Sequence, residues 1–264
     1  MKHKAIAILI LGLLWCNVGV AGSPIEKLPK DVVSGNKYYR IPDGSAFKKH
    51  GIQVVDKKDG YPVRAGEKSI RFELRPGDCG RYKHGYDDCK EHRERHELLG
   101  RDFSGGNWWY AWSIYFPKDF INVYPTRVYI GQFYGEGPKY GDEHNPPWMF
   151  DNNKPGYWIN NMVRVPGGHQ TQLLTREQML GKWNDILINV KWTHKDNGYL
   201  KLWVNNELSF DYKGPTKRKY DVFFKFGIYR AYVWKKNPPQ IVYFDEVRVG
   251  KKKEDVVGNL PPLQ

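Results

Sequence analysis

The strongest constraint on this chain is a stretch that suits a strand and little else. Residues 222–234 read VFFKFGIYRAYVW, a dense run of aromatic and β-branched side chains, which is strand composition. On a strand, alternate residues share a face. Phe224, Phe226 and Ile228 then form an apolar side. Lys225 and Tyr229 lie on the other, with Gly227 between them. One side is built for burial and the other carries a cation and a phenol. A glycine in a strand interior often marks close approach of a ligand to the backbone, and Gly227 is read that way.

The rest of the chain repeats the theme. Residues 69–75 (SIRFELR) alternate cleanly and stop at Pro76-Gly77-Asp78. Residues 108–116 (WWYAWSIYF) stop at Pro117-Lys118-Asp119, and 127–133 (RVYIGQF) follow. Residues 156–165, 183–192, 199–204, 207–212 and 241–249 also read as strands. Asn205-Asn206 is a two-residue hairpin turn of the left-handed type that asparagine tolerates. Residues 175–180 predict a short helical turn, with Thr175 as cap and Gln178 three positions on. The tail from Gly250 reads as loose. Many strands at close spacing with little helix predict an all-β fold, a sandwich or jelly roll.

The first residues predict an address. Lys2 and Lys4 precede an apolar run over residues 5–15, with Gly19 and Ala21 placed for cleavage after Ala21. This reads as a signal peptide over 1–21, too short to span a bilayer, leaving one domain over 22–264 that is secreted or periplasmic. Cys79 and Cys89 remain in that domain, and in an oxidising compartment they are expected to pair. The formal charge is +13 for the full chain; without the two signal-segment lysines it is 13 − 2 = +11. Such a surplus draws anionic partners, and export favours an acidic polysaccharide over nucleic acid. No membrane span is expected after the signal segment, and the protein is expected to be a monomer.

Three segments set polar groups inside strand-like text: Arg93-Glu94-Arg95-His96-Glu97-Leu98, Gly131-Gln132-Phe133-Tyr134-Gly135, and residues 225–229. Strand parity puts Arg95 with Glu97 and turns His96 the other way. Together these segments resemble the signature strands of jelly-roll polysaccharide lyases. The alginate lyases of that fold carry R-S-E-L-R, Q-I-H and Y-F-K-A-G-x-Y, where this chain has RHELL, QFY and FFKFGIY. The heparin lyase I-like and glucuronan lyase-like branch is more similar. It carries R-F-E-L-R-P-G-D, as in residues 71–78, and W-Y-x-x-S-I-Y-x-P, as in 109–117, and ends on a strand like 243–247. Three positions depart from the alginate pattern: Tyr134 stands for its histidine, Leu99 for its last arginine and His96 for its serine.

The resemblance implies a concanavalin-like jelly roll of two antiparallel sheets that cleaves a uronic-acid polymer by β-elimination. It implies His96, Gln132 and Tyr229 as catalytic residues, with Arg95 as a further candidate. Lys225, Tyr134, Arg230 and His144 are the implied substrate contacts. No cofactor is required, although Asp245 is a candidate ligand for a structural calcium ion. The chemistry demands a donor that neutralises the uronate carboxylate, because an ionised carboxylate leaves the adjacent C5–H a very poor acid. Gln132 and Arg95 suit that task. His96, Tyr134 and Tyr229 are the candidate bases. A non-catalytic carbohydrate-binding sandwich is the alternative. A retaining glycoside hydrolase needs two close carboxylates, and the chain carries no E-x-D-x-x-E strand.

Overall fold

The computed structural model describes residues 23–24, 33–34, 48–81, 85–100, 105–135, 146–163 and 169–258. The predicted signal segment over residues 1–21 and the candidate contact His144 lie outside the described residues. In chain order the strands are β1 (Ser23–Pro24), β2 (Val33–Ser34), β3 (Ile52–Asp56), β4 (Lys68–Leu74), β5 (Arg93–Leu99), β6 (Gly106–Tyr115), β7 (Arg127–Gly135), β8 (Trp148–Asp151), β9 (Tyr157–Asn161) and β10 (His169–Leu174). After helix α1 (Arg176–Met179) come β11 (Trp183–Trp192), β12 (Tyr199–Val204), β13 (Glu207–Lys213), β14 (Val222–Ala231) and β15 (Gln240–Gly250), then helix α2 (Glu254–Val257). Among the described residues no helix is long and apolar enough to cross a membrane.

Two sheets account for the strands. A nine-stranded sheet runs β1-β3-β4-β15-β6-β11-β12-β13, with β2 added parallel to β15. A six-stranded antiparallel sheet runs β10-β9-β8-β7-β14-β5. Period-two patterning explains how they pack. In β11 every second residue is buried, giving Ile186, Ile188, Val190 and Trp192 to the core. From β14 come Phe224, Phe226 and Ile228, all at most 2% exposed. Phe226 meets Phe72 of β4 and Phe244 of β15 at ring-centroid distances of 5.6 and 5.0 Å, and Phe224 stacks on Trp112 of β6 at 4.7 Å. Fully burying each such side chain stabilises the fold by about 1.5–3 kcal/mol, so this interface fixes which face of β14 turns inward. The result is the all-β jelly-roll sandwich that the residue pattern predicts.

The short-range signals are realised closely. Asn205 and Asn206 both have left-handed backbones, with φ of 52° and 70°. Thr175 and Gln178 form a reciprocal capping box at α1. Other expectations change. Strand β14 stops at Ala231, because Tyr232 takes a left-handed conformation with φ of 60°. Of the region expected to be a strand over 156–165, β9 takes Tyr157–Asn161, and residues 164–165 lie outside the described residues. The tail is not loose throughout: α2 buries Val256, and Asp255 accepts from the backbone N–H groups of Lys251 and Lys252.

Gly227 also has a different explanation from ligand access. Its φ is +136°, and a Cβ there would sit 2.2 Å from the backbone oxygen of His96 and 2.9 Å from the Phe72 ring. The glycine lets β5 and β4 close onto β14 from the core side. The pairing of β14 with β7 shifts register between Phe226 and Tyr229 at the same place.

Strand β5 is an edge of its sheet, but its outer side is covered. The N–H groups of Arg93 and Arg95 donate to the backbone oxygens of Asp88 and Asp78, at 2.8 and 2.9 Å. Asp88 lies inside and Asp78 directly before the loop closed by the expected disulfide, Cys79–Cys89, whose Cα atoms are 5.2 Å apart.

Candidate active site

The register of β14 against its neighbours assembles the site. Lys225 pairs with Gln132 of β7 on one side and Leu99 of β5 on the other. One step along, Tyr229 pairs with Tyr129 and Arg95. Alternate residues of these strands fill the core, so Lys225, Tyr229, Gln132, Tyr134, Arg95 and Glu97 share the face turned away from the nine-stranded sheet.

Glu97 is the hub. Gln132 Nε2 donates to its Oε1 at 2.7 Å, and Lys225 Nζ lies 3.0 Å from its Oε2. Arg95 Nη1 reaches the same Oε2 at 3.5 Å. Burial alone would raise the Glu97 pKa, but Lys225, Arg95 and the Gln132 amide together hold it below the usual carboxylate range. Arg95 is fixed from its other side by Asp88, with Nε to Oδ2 at 2.8 Å and Nη2 to Oδ1 at 2.6 Å. A two-point contact of this kind orients the guanidinium plane. Lysine has three N–H donors, and the contact with Glu97 leaves Lys225 with donors for a ligand. With Arg93 counted, the cluster holds three cations and two carboxylates, 3 − 2 = +1, which favours an anion.

Tyr229 sits against these charges. Its ring stacks on Tyr129 at 5.4 Å, and Arg95 Cζ lies 4.3 Å from its centroid, with Arg93 Cζ at 6.0 Å. Burial pushes the Tyr229 pKa up, and the two arginines only partly oppose it. The group is therefore a neutral phenol at ordinary pH. Tyr134 lies at the end of β7, with Lys225 Nζ 5.4 Å from its ring centroid.

The structure brings together Arg95, Gln132, Lys225, Tyr134 and Tyr229, and it separates His96, Arg230 and Asp245 from them. His96 points to the core side of β5, where its Nδ1 lies 2.7 Å from the backbone oxygen of Glu73 and the residue is 3% exposed. The parity of the strand, unbroken by a bulge in β5, keeps it off the face that carries Tyr229. Arg230 corrects the reading as a substrate contact. It is 0% exposed, and its guanidinium donates to Glu94, Gln240 and the backbone oxygen of Pro238. Asp245, on β15 of the other sheet, accepts backbone N–H groups from Arg64, Ala65 and Glu246. Burial pushes its pKa up to about 7. These contacts tie Asp245 to the segment before β4, on the sheet opposite the cluster around Glu97.

Sequence reasoning passed over Glu97 and Asp88. Glu97 stands in the quoted segment on the same strand face as Arg95, so parity marked it. Asp88 carried no signal, since its role depends on where the disulfide loop folds. Asp151 of β8 is a third carboxylate missed from sequence. It faces the same side as Tyr129, its register partner, and burial raises its pKa to about 6 against the Asn153 N–H and the Gln170 amide. A raised folded-state value means that the folded protein holds the proton more tightly than the unfolded chain. Stability is then lost as pH rises from the unfolded value of about 4 through the folded one. Asp151→Asn removes that loss. The stability of the variant relative to the parent should grow by up to about 3 kcal/mol between about pH 4 and about pH 8, measured by urea unfolding at the two values.

Solved structures of low sequence identity share this architecture. An endo-β-1,4-glucuronan lyase from the fungus Trichoderma reesei aligns with TM-score 0.62 and 18% identity, over 88% of this chain and 98% of its own. The catalytic domain of a glycoside hydrolase family 131 protein from Coprinopsis cinerea aligns with TM-score 0.56 and 13% identity, over 84% and 86%. An alginate lyase of polysaccharide lyase family 7 gives TM-score 0.54 and 14% identity, over 85% and 98%. No curated protein sequence matches the chain. The fold is thus a β-sandwich shared by proteins described as lyases and as a glycoside hydrolase. The family model described as polysaccharide lyase matches residues 39–248. The chain belongs to that family, and it is an enzyme acting on polysaccharides.

Proposed function

We propose that this enzyme is exported and cleaves a uronic-acid polymer by β-elimination at the face of β5, β14 and β7. The observation that carries this reading is the set of donors from Arg95, Gln132 and Lys225, held in place by Glu97 beside the protonated phenol of Tyr229. Residues 1–21 and the Cys79–Cys89 disulfide support export.

The donors bind the carboxylate of the sugar at the cleavage point and stabilise the enediolate that forms when the C5 proton leaves. Each donor aimed at such developing charge is worth about 3–4 kcal/mol. Electrons from the C5–H bond form the C4–C5 double bond as the C4–O bond breaks. The departing oxygen takes the proton of Tyr229, a role that a neutral phenol suits. Tyr229 starts the step with its own proton, so the C5 proton goes to a separate base on the same face, the role left to Tyr134 as phenolate beside Lys225. The scheme draws on side chains of this chain and calls for no cofactor.

Incubation with polyglucuronate, alginate, heparin and hyaluronate, followed by ultraviolet absorbance of the new double bond, tests the reading. Absorbance should rise on at least one uronate. The shared fold of the glucuronan lyase makes polyglucuronate the first substrate to try. Binding without an ultraviolet product on any of the four would instead favour a carbohydrate-binding protein, and reducing sugar without absorbance would favour hydrolysis.

A further inference from the structure

On the core side of β5, apart from the cluster around Glu97, three metal-ligating side chains converge from three separate segments. His50 comes from the turn before β3, Asp78 from the turn after β4, and His96 from β5. One ligating atom of each lies within 4.8 Å of the other two. His50 Nε2 is 2.8 Å from Asp78 Oδ2, and His96 Nδ1 is 3.7 Å from the same oxygen. The two imidazoles meet edge to face at 5.7 Å between centroids.

We infer that His50, Asp78 and His96 form a binding site for a divalent transition-metal ion of the zinc type. Two imidazole nitrogens and one carboxylate oxygen are a ligand set that zinc accepts, with a fourth position left for water. Hard cations such as calcium prefer all-oxygen sites, and the two histidines select against them.

The surroundings are shaped for this convergence. A Cβ on Gly51 would lie 2.4–2.5 Å from three atoms of the His96 ring, so only glycine lets the residue-50 turn close over that imidazole. The turn is held by Gly51 N–H donating to Lys48 and by Glu73 N–H donating to Gly51. Asp78 is fixed by the Arg75 N–H, which donates to its Oδ2 at 2.7 Å. Asp78 and His96 are buried, whereas the His50 side chain is 23% exposed and gives an ion its way in.

Loading the ion requires both rings to offer a lone pair. His50 moves its proton to Nδ1 and presents Nε2. His96 releases the Glu73 backbone oxygen, carries its proton on Nε2 and presents Nδ1. Both are tautomer changes without net proton loss. A metal here ties the residue-50 turn, the turn after β4 and β5 together, so its effect is on the rigidity of the strand that carries Arg95 and Glu97.

The test is a zinc titration of the chelator-treated mature protein by calorimetry, with thermal unfolding alongside. One equivalent should bind in the micromolar range or tighter and raise the unfolding midpoint by several degrees. Cobalt(II) should give the d–d absorption of a low-coordinate nitrogen- and oxygen-ligated ion. His50→Ala, at the partly exposed ligand, should fold normally and abolish both effects, whereas His169→Ala on the exposed start of β10 should leave them intact. Saturable binding absent from the parent protein would overturn the inference. So would binding that survives both His50→Ala and His96→Gln. The readouts do not depend on activity, so they stand whether or not a uronate is cleaved.

Discussion

Tyr229→Phe is expected to lower kcat on the cleaved uronate by about 10²–10⁴-fold, the usual contribution of a positioned general acid. The substitution removes one oxygen and keeps the ring. Stacking on Tyr129 and the Arg95 contact survive, so the fold and the donor cluster should be unchanged. The loss should fall on kcat more than on KM, because the phenol acts when the leaving oxygen needs its proton. Initial rates by ultraviolet absorbance, with circular dichroism to confirm folding, provide the check. A variant with full activity would remove Tyr229 from the mechanism and leave Tyr134 as the phenol to examine.

The second large effect is on stability. Arg230→Leu is expected to cost about 3–5 kcal/mol, because it strands a buried carboxylate. Glu94 accepts from Arg230 through Oε2 and from the Gly77 N–H through Oε1, and it is 5% exposed. Without the guanidinium its charge has no equivalent compensation in the core. The urea midpoint should fall sharply, and the double variant Arg230→Leu/Glu94→Leu should recover part of the loss, since an apolar pair of similar volume removes the stranded charge. KM measured well below the unfolding temperature should be unchanged. A large rise in KM with little loss of stability would return Arg230 to the substrate-binding face.

These two residues also mark what a sequence can and cannot reveal. Tyr229 and Arg230 are adjacent in a strand, and alternation alone places them on opposite faces. The apolar partners Phe224, Phe226 and Ile228 settle which face is inner, and Arg230 falls with them. The same rule turned His96 away from Arg95 and Glu97. Local chemistry was equally readable: the Thr175 cap, the Asn205-Asn206 turn and the even alternation of β11 rest on neighbours in the chain. Five strands escaped notice for identifiable reasons. Strands β1 and β2 are two residues each, β3 and β8 are short, and β10 (HQTQLL) is an edge strand whose outward polar residues mask any alternation. The hub at Glu97 depended on something no local pattern contains, the pairing of β5 with β14 across more than a hundred intervening residues. Asp88 depended on the path of a loop.

The loop between Cys79 and Cys89 has a consequence for how the protein behaves in bulk. Edge strands with open hydrogen-bonding groups are templates on which further chains can add. The backbone oxygens of Asp78 and Asp88 occupy the outward N–H groups of Arg95 and Arg93, and the covalent bond between the cysteines keeps those oxygens in place. In a reducing medium that cover is free to peel away from a strand already carrying ordered backbone. Colloidal stability then depends on the redox state of two sulfur atoms, and preparations kept oxidised should remain dispersed where reduced ones self-associate.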